Sequence, residues 1–472
     1  MINRSFPEAA DTKTKQIYDL LRERILQNRY TAGDRLPSTR DLASEFGVSR
    51  SIIVEVYEQL IAEGYLEGRQ GSGTYVADLG QERPFQVQLD ETVESGDLAE
   101  LPKNPARFHG IDFRPSFPAL EHIPYKKWKE TALSIFDRLH TADYGYEEDP
   151  AGNGELRANI CRFLLQTKGI RCSPRQVVVT AGATQAIDLL CRLLLKPGDA
   201  VATEDPTAPF IYQIFASTGA EILPVPVDEH GLRVEALPTA PIPKCVFVTP
   251  SHQFPLGSIL SIGRRIQLLE FARQTGCYLI EDDYDSEFRY AGMPVRALRE
   301  LDSERVIYVG TFSKNLFPSL RLGYMVVPQD LLAPLLRLKQ LTDIHCPTLP
   351  QITLARFIAD RHLERHIARM KRIYSRKRKR LIDSLNATFG GGVKITGDAA
   401  GLHLIAEFSD RKFDSLAAEQ LERRNIKIYP AERYAIVKGK QENRLVMGFG
   451  NAAESQIDKG IMAMADLRNA WI

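Results

Sequence analysis

No uninterrupted apolar run in the 472 residues approaches the roughly 20 needed to span a bilayer, and the opening MINRSFPEAADTK lacks the apolar core of a secretory signal. The first absence argues against a helical membrane protein, and the two together predict a cytoplasmic chain. Cysteine is sparse. The six residues (Cys161, Cys172, Cys191, Cys245, Cys277 and Cys346) include no C-x-x-C pair and no histidine at zinc-finger spacing. That argues against a disulfide scaffold or a metal site and predicts reduced, mostly buried thiols. No charge sign is in excess: the net charge is +1, so bulk charge calls for no polyanionic partner. There is no internal repeat and no long low-complexity tract. What remains is ordinary globular composition, 44% hydrophobic and 26% charged, in a chain too long for one core.

Residues 12–77 read as three helices and a hairpin. TKTKQIYDLLRERILQNRY places Ile17, Leu20, Leu21 and Ile25 at helical spacing. Two further helices follow, with Ser38 and Ser49 as expected N-caps and a break at Gly47. YLEGRQGSGTYVA carries glycines where a tight hairpin needs positive φ. Residues 78–108 are polar and acidic without a sustained period, which predicts an exposed linker. From 109 to 472, apolar β-branched segments alternate with amphipathic ones, so an α/β domain with a largely parallel sheet is expected.

A helix that follows a tight turn, as the one from Ser49 does, can lie in the major groove of DNA, with Ser49, Arg50 and Ser51 at its leading end. Arg69, Gln70 and Ser72 at the hairpin tip suit backbone contact. Residues 1–77 hold ten Lys and Arg against eleven Asp and Glu, so the field is not generically basic and a small protein-interaction domain is an equal reading of the pattern. The motifs decide between them. L-P-S-x-R-x-L-A, G-V-S-R, Y-x-x-L-x-x-E-G-Y and G-S-G-T-Y-V resemble the winged helix-turn-helix of the GntR family. The candidate DNA contacts are Arg35, Ser38, Thr39, Arg40, Ser49, Arg50, Ser51, Arg69 and Ser72.

In the second domain, polar clusters fall at strand ends, where ligands sit in such sheets. VGTFSKNLFPSLR sets Lys314 after a strand, with Thr311 before it and Arg321 after it. A neutral lysine condenses with an aldehyde, and a hydroxyl with a guanidinium suits a phosphate. TAGATQAIDLL offers a second phosphate cradle, a glycine turn opening a helix at Ala183 and Thr184. LIEDDYDSEF places Asp282 and Tyr284 where a carboxylate keeps a pyridine nitrogen protonated and a phenol meets a ring hydroxyl. Together these describe pyridoxal 5′-phosphate.

Residues 109–472 resemble the fold-type I aminotransferases, and the whole chain resembles the MocR/GabR group, in which a GntR-type reader is fused to an aminotransferase-like sensor. TPSHQFPLG, IEDDYDSEF and GTFSKNLFPSLR carry the likeness. The resemblance implies a homodimer on an operator with two half-sites. Lys314 would form the internal aldimine, to be displaced by an amino-compound effector. Asp282 would pair with the pyridine nitrogen and Tyr284 with the ring hydroxyl. Ala183, Thr184, Thr311 and Arg321 would hold the phosphate. Arg433 in KIYPAERYAI falls where the group binds the effector's carboxylate, with Arg444 in NRLVMGF as the alternative. Either Tyr144 or Tyr146 would reach the neighbouring subunit.

Two departures stand out. EDPTAPFIY has Ala208 where relatives carry a tyrosine over the ring. Phe210 is then the candidate for stacking, and it also replaces an arginine of γ-aminobutyrate-responsive relatives. That points to another anionic amino compound, a small ω-amino acid or an aminosulfonate such as taurine. In FPLG, Phe254 replaces the asparagine of the enzymes' N-P-x-G, which weighs against fast transamination; His252 and Gln253 are nearby polar candidates. The rival readings are a working aminotransferase with an appended DNA-binding domain, and a pyridoxal phosphate enzyme with a protein-interaction domain. The basic run RMKRIYSRKRKRLIDSL reads as a solvated helix face, with Ile373, Leu381 and Ile382 turned inward.

Overall fold

The structure, a computed structural model, describes residues 12–79, 108–293, 295–409 and 411–466. The chain divides into two compact units between Arg107 and Phe108. Most of the linker expected over 78–108 lies outside the described residues.

The first unit contains α1 (Lys13–Leu26), α2 (Thr39–Phe46), α3 (Arg50–Ala62) and a hairpin of β1 (Leu66–Arg69) and β2 (Gly73–Val76). The helical stripe of α1 buries Ile17, Leu21 and Ile25, while Leu20 is half-buried. The stripe packs against Ile53, Val56 and Leu60 of α3. Ser38 caps α2, its Oγ accepting from the Asp41 N–H at 3.3 Å, and Gly47 ends that helix with φ 61°. Ser49 occupies the N-cap position of α3 but makes no cap bond, because its hydroxyl is 2.9 Å from that of Ser51. Gly71 and Gly73, with φ 76° and 123°, turn the hairpin.

The second unit opens with β3 (Ile111–Asp112), α4 (Tyr125–Phe136) and α5 (Gly154–Lys168). It then alternates through β4 (Val177–Thr180), α6 (Ala183–Leu194), β5 (Ala200–Asp205), α7 (Pro209–Ser217), β6 (Glu221–Asp228), β7 (Gly231–Leu232), β8 (Cys245–Val248), α8 (Ile262–Thr275), β9 (Tyr278–Asp283), α9 (Leu298–Leu301), β10 (Val306–Thr311) and β11 (Gly323–Val326). These strands form one sheet in the order β4-β11-β10-β9-β8-β5-β6-β7. Pairing from β10 through β6 is parallel, and β11 and β7 run antiparallel to their neighbours. Both faces are covered. Ile187, Leu190 and Leu335 pack on Val178, Val201 and Ile307, while Leu156, Ile160 and Leu354 pack on Val177, Val179 and Tyr308. Two-sided burial explains why these strands read as unbroken apolar runs.

After α10 (Gln329–Asp343), α11 (Thr348–Ala359) and the long α12 (His362–Phe389), a smaller sheet of β12 (Val393–Thr396), β13 (His403–Phe408) and β15 (Arg444–Gly448) forms against α12 and α14 (Glu454–Asp466). Between β13 and β15, α13 (Ser415–Glu422) leads to β14 (Ile426–Lys427), which pairs in parallel with β3. The basic run lies on α12. Ile373 and Leu381 are buried, Ile382 only partly, and Arg376, Arg380 and Lys379 pair with Glu454, Asp458 and Asp383. No helix among the described residues is long and apolar enough to cross a membrane.

Candidate functional site

The carboxyl ends of β4, β9 and β10 meet at a cavity of about 560 Å3. It brings together Lys314, Asp282, Tyr284, Ala183, Thr184, Thr311, Arg321, Phe210 and Arg433 from segments up to 250 residues apart. Arg444 does not reach it. On β15 it faces Glu407 at 3.1 Å, bonds Gln441 at 2.9 Å and lines a separate cavity.

Along β9 the strand alternation separates two adjacent carboxylates. Asp282 faces the cavity, and its Oδ1 is buried with no hydrogen-bond partner. Burial, with Asp283 and Asp285 nearby, pushes its carboxyl up to about 8, against the pull of Lys314. Asp283 faces the interior, with the Lys168 ammonium at 2.9 Å and the Tyr308 hydroxyl donating at 2.8 Å. Burial would raise it, but these partners hold it below the ordinary range. Lys314 is half-buried just past β10. Burial pulls its ammonium below the ordinary lysine range, while Asp285 and Asp282 pull it back up.

The turn before α6 has no side-chain cap. Gly182 stands at the N-cap with φ 84°, so no side chain of the described residues caps the N–H groups at the positive end of that helix. The Ala181 N–H donates to Gln185 Oε1 at 2.7 Å, and the Arg321 guanidinium lies against Gly182, where an added Cβ would sit 2.9 Å from Nη2. Thr311 Oγ1 accepts from the Ser313 N–H at 3.2 Å.

Tyr284 donates its hydroxyl to the His252 carbonyl at 2.9 Å. His252 is buried and bonded to Asp285 at 3.0 Å and to the Gly397 carbonyl at 3.2 Å, which makes it part of the framework under the cavity. Gln253 is likewise internal, donating to Glu204 at 3.2 Å and to the Pro206 carbonyl at 2.9 Å. Phe254 lines the cavity, edge-on to Tyr284 and Tyr434. Arg433 is exposed, and its guanidinium has no ion-pair or hydrogen-bond partner among the described residues. Its loop is fastened over the cavity: Thr207 N–H donates to the Tyr434 carbonyl at 3.0 Å, and Asp205 accepts from Ile436 and Val437. Tyr144 and Tyr146 are both exposed, and both line another depression beside His345.

Several lining residues carried no sequence signal. Arg114, with Nε 3.3 Å from the Tyr429 hydroxyl, Lys427 and Tyr434 arrive only through the β3–β14 pairing and the loop after it. Ser313, inside TFSK, lines the cavity as well.

In the first unit, all the candidate DNA contacts are exposed except Thr39, which is partly buried. Arg50 Nε donates to Thr39 Oγ1 at 3.2 Å, joining the leading ends of α2 and α3. At the hairpin, Arg69 pairs with Glu67 at 2.6 Å and lies over the Tyr75 ring, Ser72 meets the Tyr75 hydroxyl at 2.6 Å, and Arg35 lies against Gly73.

Residues 13–76 match the bacterial regulatory proteins of the gntR family, and residues 116–456 match aminotransferase class I and II. The chain is 33% identical to the probable rhizopine catabolism regulatory protein MocR of Rhizobium meliloti, across 97% of this chain and 93% of that protein. The chain belongs to the MocR-type regulators. Another member, the pyridoxine biosynthesis transcriptional regulator PdxR of Corynebacterium glutamicum, is 32% identical over 94% of this chain and 93% of its own. Like them, the MocR-type chain described here joins a helix-turn-helix of a DNA-binding family to an aminotransferase-like domain. Among solved structures, an archaeal alanine:glyoxylate aminotransferase superposes with a TM-score of 0.72 at 27% identity, covering 80% of this chain and 94% of that one. The kynurenine aminotransferase of Pyrococcus horikoshii, solved with PMP, gives 0.71 at 26% identity, covering 81% and 98%.

Proposed function

We propose that this MocR-type regulator holds pyridoxal 5′-phosphate in the cavity at Lys314 and senses there an amino compound that carries an anionic group. One observation carries the reading: a buried carboxylate with an unpartnered oxygen, an uncapped helix N-terminus with a guanidinium, and a lysine below its ordinary range share one cavity. When bound, pyridoxal 5′-phosphate supplies an aldehyde that condenses reversibly with primary amines. Asp282 would take the pyridine nitrogen, satisfying its orphaned Oδ1. The Ala183 and Thr184 N–H groups, Thr311 and Arg321 would hold the phosphate. The Tyr284 hydroxyl, donating to His252, keeps acceptor capacity for a ring hydroxyl. Phe210 would lie against the ring face. Burial lets Lys314 hold more of its amine as free base near neutral pH, which is the form that condenses.

Arg433, exposed and unpartnered, suits the effector's carboxylate or sulfonate. Phe254 offers a ring edge but no donor to a ring hydroxyl, which favours sensing over turnover. The reader would occupy residues 1–77, the linker 78–108 and the sensor 109–472. Two copies would carry two readers onto an operator with two half-sites. The effector can shift DNA binding only by its differential affinity for two conformations. The test is a titration of the full chain onto promoter duplexes with pyridoxal 5′-phosphate, repeated across a panel of amines. An anion-bearing amine is expected to change the affinity or the footprint. No shift with any amine would remove the sensing role, and sustained conversion of an amino compound to its keto product would favour the enzyme instead.

A further inference from the structure

Two of the six thiols stand apart. Cys191, Cys245, Cys277 and Cys346 are buried, and burial pushes each thiol up. Cys161 on α5 and Cys172, in the segment leading from α5 to β4, are half-buried. Gly169, with φ 76°, ends α5 and turns the chain back, and the two Sγ atoms lie 3.4 Å apart. A second observation concerns a buried guanidinium. Arg299 is 2% exposed and makes no carboxylate ion pair among the described residues. Its two terminal nitrogens donate to the Val306 and Val327 carbonyls, and its Nε is buried without an acceptor. A buried guanidinium left in that state favours an anion nearby. Among the acidic groups acting on it, Cys172 comes ahead of Glu281 and Asp302.

We infer that Cys161 and Cys172 form a hydroperoxide-reactive dithiol that closes to an intramolecular disulfide, with Cys172 attacking and Cys161 resolving. The Cys172 thiolate attacks one peroxide oxygen. The O–O bond breaks, the other oxygen leaves as alkoxide or hydroxide and takes up a proton, and Cys172 becomes a sulfenic acid. Cys161 then gives up its proton and attacks that sulfur. The S–S bond forms, the S–O bond breaks and water leaves. Two thiols and one hydroperoxide give one disulfide, one alcohol (or water) and one water, the thiols supplying both electrons. The Sγ atoms need only close from 3.4 Å to about 2.05 Å.

The charges around the pair favour this order. The 3.4 Å contact with Cys161 and the positive charge of Arg299 hold the Cys172 thiol below the ordinary range against the effect of burial. Cys161 is raised, chiefly by the same hydrogen bond, although Arg157 and Arg162 pull it down. The loop such a bond closes contains Lys168, whose ammonium holds Asp283 beside Asp282, so the modification lies one buried ion pair from the cavity.

The experiment treats the full-length protein with a few equivalents of hydrogen peroxide, alkylates it and maps the thiols by mass spectrometry. The expected product is a Cys161–Cys172 linked peptide, with the other four cysteines recovered as thiols. Iodoacetamide is expected to label Cys172 about tenfold faster than Cys161 near pH 7. In Cys161→Ala, Cys172 is expected to be trapped as a single sulfenic adduct by a dimedone probe, and its alkylation midpoint to move to higher pH. Cys172→Ser is expected to abolish the fast peroxide reaction. No linked peptide, equal oxidation of all six cysteines, or a Cys172→Ser protein as reactive as the native one would overturn the inference.

Discussion

Arg321 donates from Nη2 to the carbonyl of Ala181 at 2.7 Å, so the guanidinium after β10 braces the glycine turn after β4. The contact spans 140 residues of sequence and leaves the bare Cα of Gly182 facing the same guanidinium. An added methyl there would meet Arg321 Nη2 at 2.9 Å, on a backbone with φ +84° that L-residues rarely adopt. Gly182→Ala is therefore expected to displace Arg321 and to weaken pyridoxal 5′-phosphate binding by about tenfold or more, with a backbone strain of roughly 1–3 kcal/mol. Fluorescence titration of the cofactor checks it. Unchanged affinity would take the phosphate away from this turn.

Lys314 is expected to be the lysine that borohydride couples to pyridoxal 5′-phosphate. Peptide mapping of the reduced protein reads the position directly. Lys314→Ala is expected to fold, because the side chain lies at the cavity and is only half-buried, and to take up no covalent label. Labelling elsewhere would displace the site.

Asp282 sets a pH dependence in the cofactor-free protein. Its carboxyl ionises near 3.8 when free and near 8 when folded, chiefly because burial disfavours the charge. Between those values the folded state binds the extra proton. This group's contribution is therefore fully present below pH 3.8 and is lost as pH rises towards 8. Glu204 and Glu281, pushed up to about 7 by burial, act with the same sign. Thermal midpoints from pH 5 to 8 are expected to fall, and to fall less in Asp282→Asn. Parallel slopes in the two proteins would contradict the assignment.

Arg433→Ala is expected to weaken an anion-bearing effector by roughly 1.5–3 kcal/mol, about one to two orders of magnitude in Kd. Arg444→Ala is expected to leave it unchanged, since that side chain faces Glu407 away from the cavity. The reverse result in a spectral titration with amines would exchange the two assignments.

At the reader, Arg50→Ala is expected to weaken specific binding by about 1–3 kcal/mol if Arg50 meets a base edge. Arg69→Ala is expected to lower the salt slope by about one phosphate contact, and the Glu67 ion pair must open for Arg69 to reach one. Binding isotherms at several salt concentrations separate the two. Loss of neither would leave the hairpin and the leading end of α3 outside the DNA interface.

The sequence by itself determined the order of elements and the residues at strand ends. Val306 to Thr311 is apolar because both faces of β10 are covered, and the chain turns polar where the strand leaves the core, so Thr311, Lys314 and Arg321 could be read as a strand-end cluster; Asp282 and Ala183 follow the same rule. Such patterns are local, reporting burial and turns over a few residues. The tertiary structure alone decided which strand ends meet. Arg433 reaches the cavity because Asp205 accepts from the N–H of Ile436, 231 residues further along the chain, whereas β-pairing of Arg444 with Glu407 carries that side chain elsewhere. Arg114 reaches Tyr429 through two paired residues of β3 and β14. Asp282 and Asp283 are adjacent carboxylates on one strand, and their opposite protonation behaviour comes from what the pleat turns each one towards: a buried position with no hydrogen-bond partner for Oδ1 in one case, and Lys168 in the other. Partners that distant are fixed by sheet order and strand register, which no local periodicity encodes.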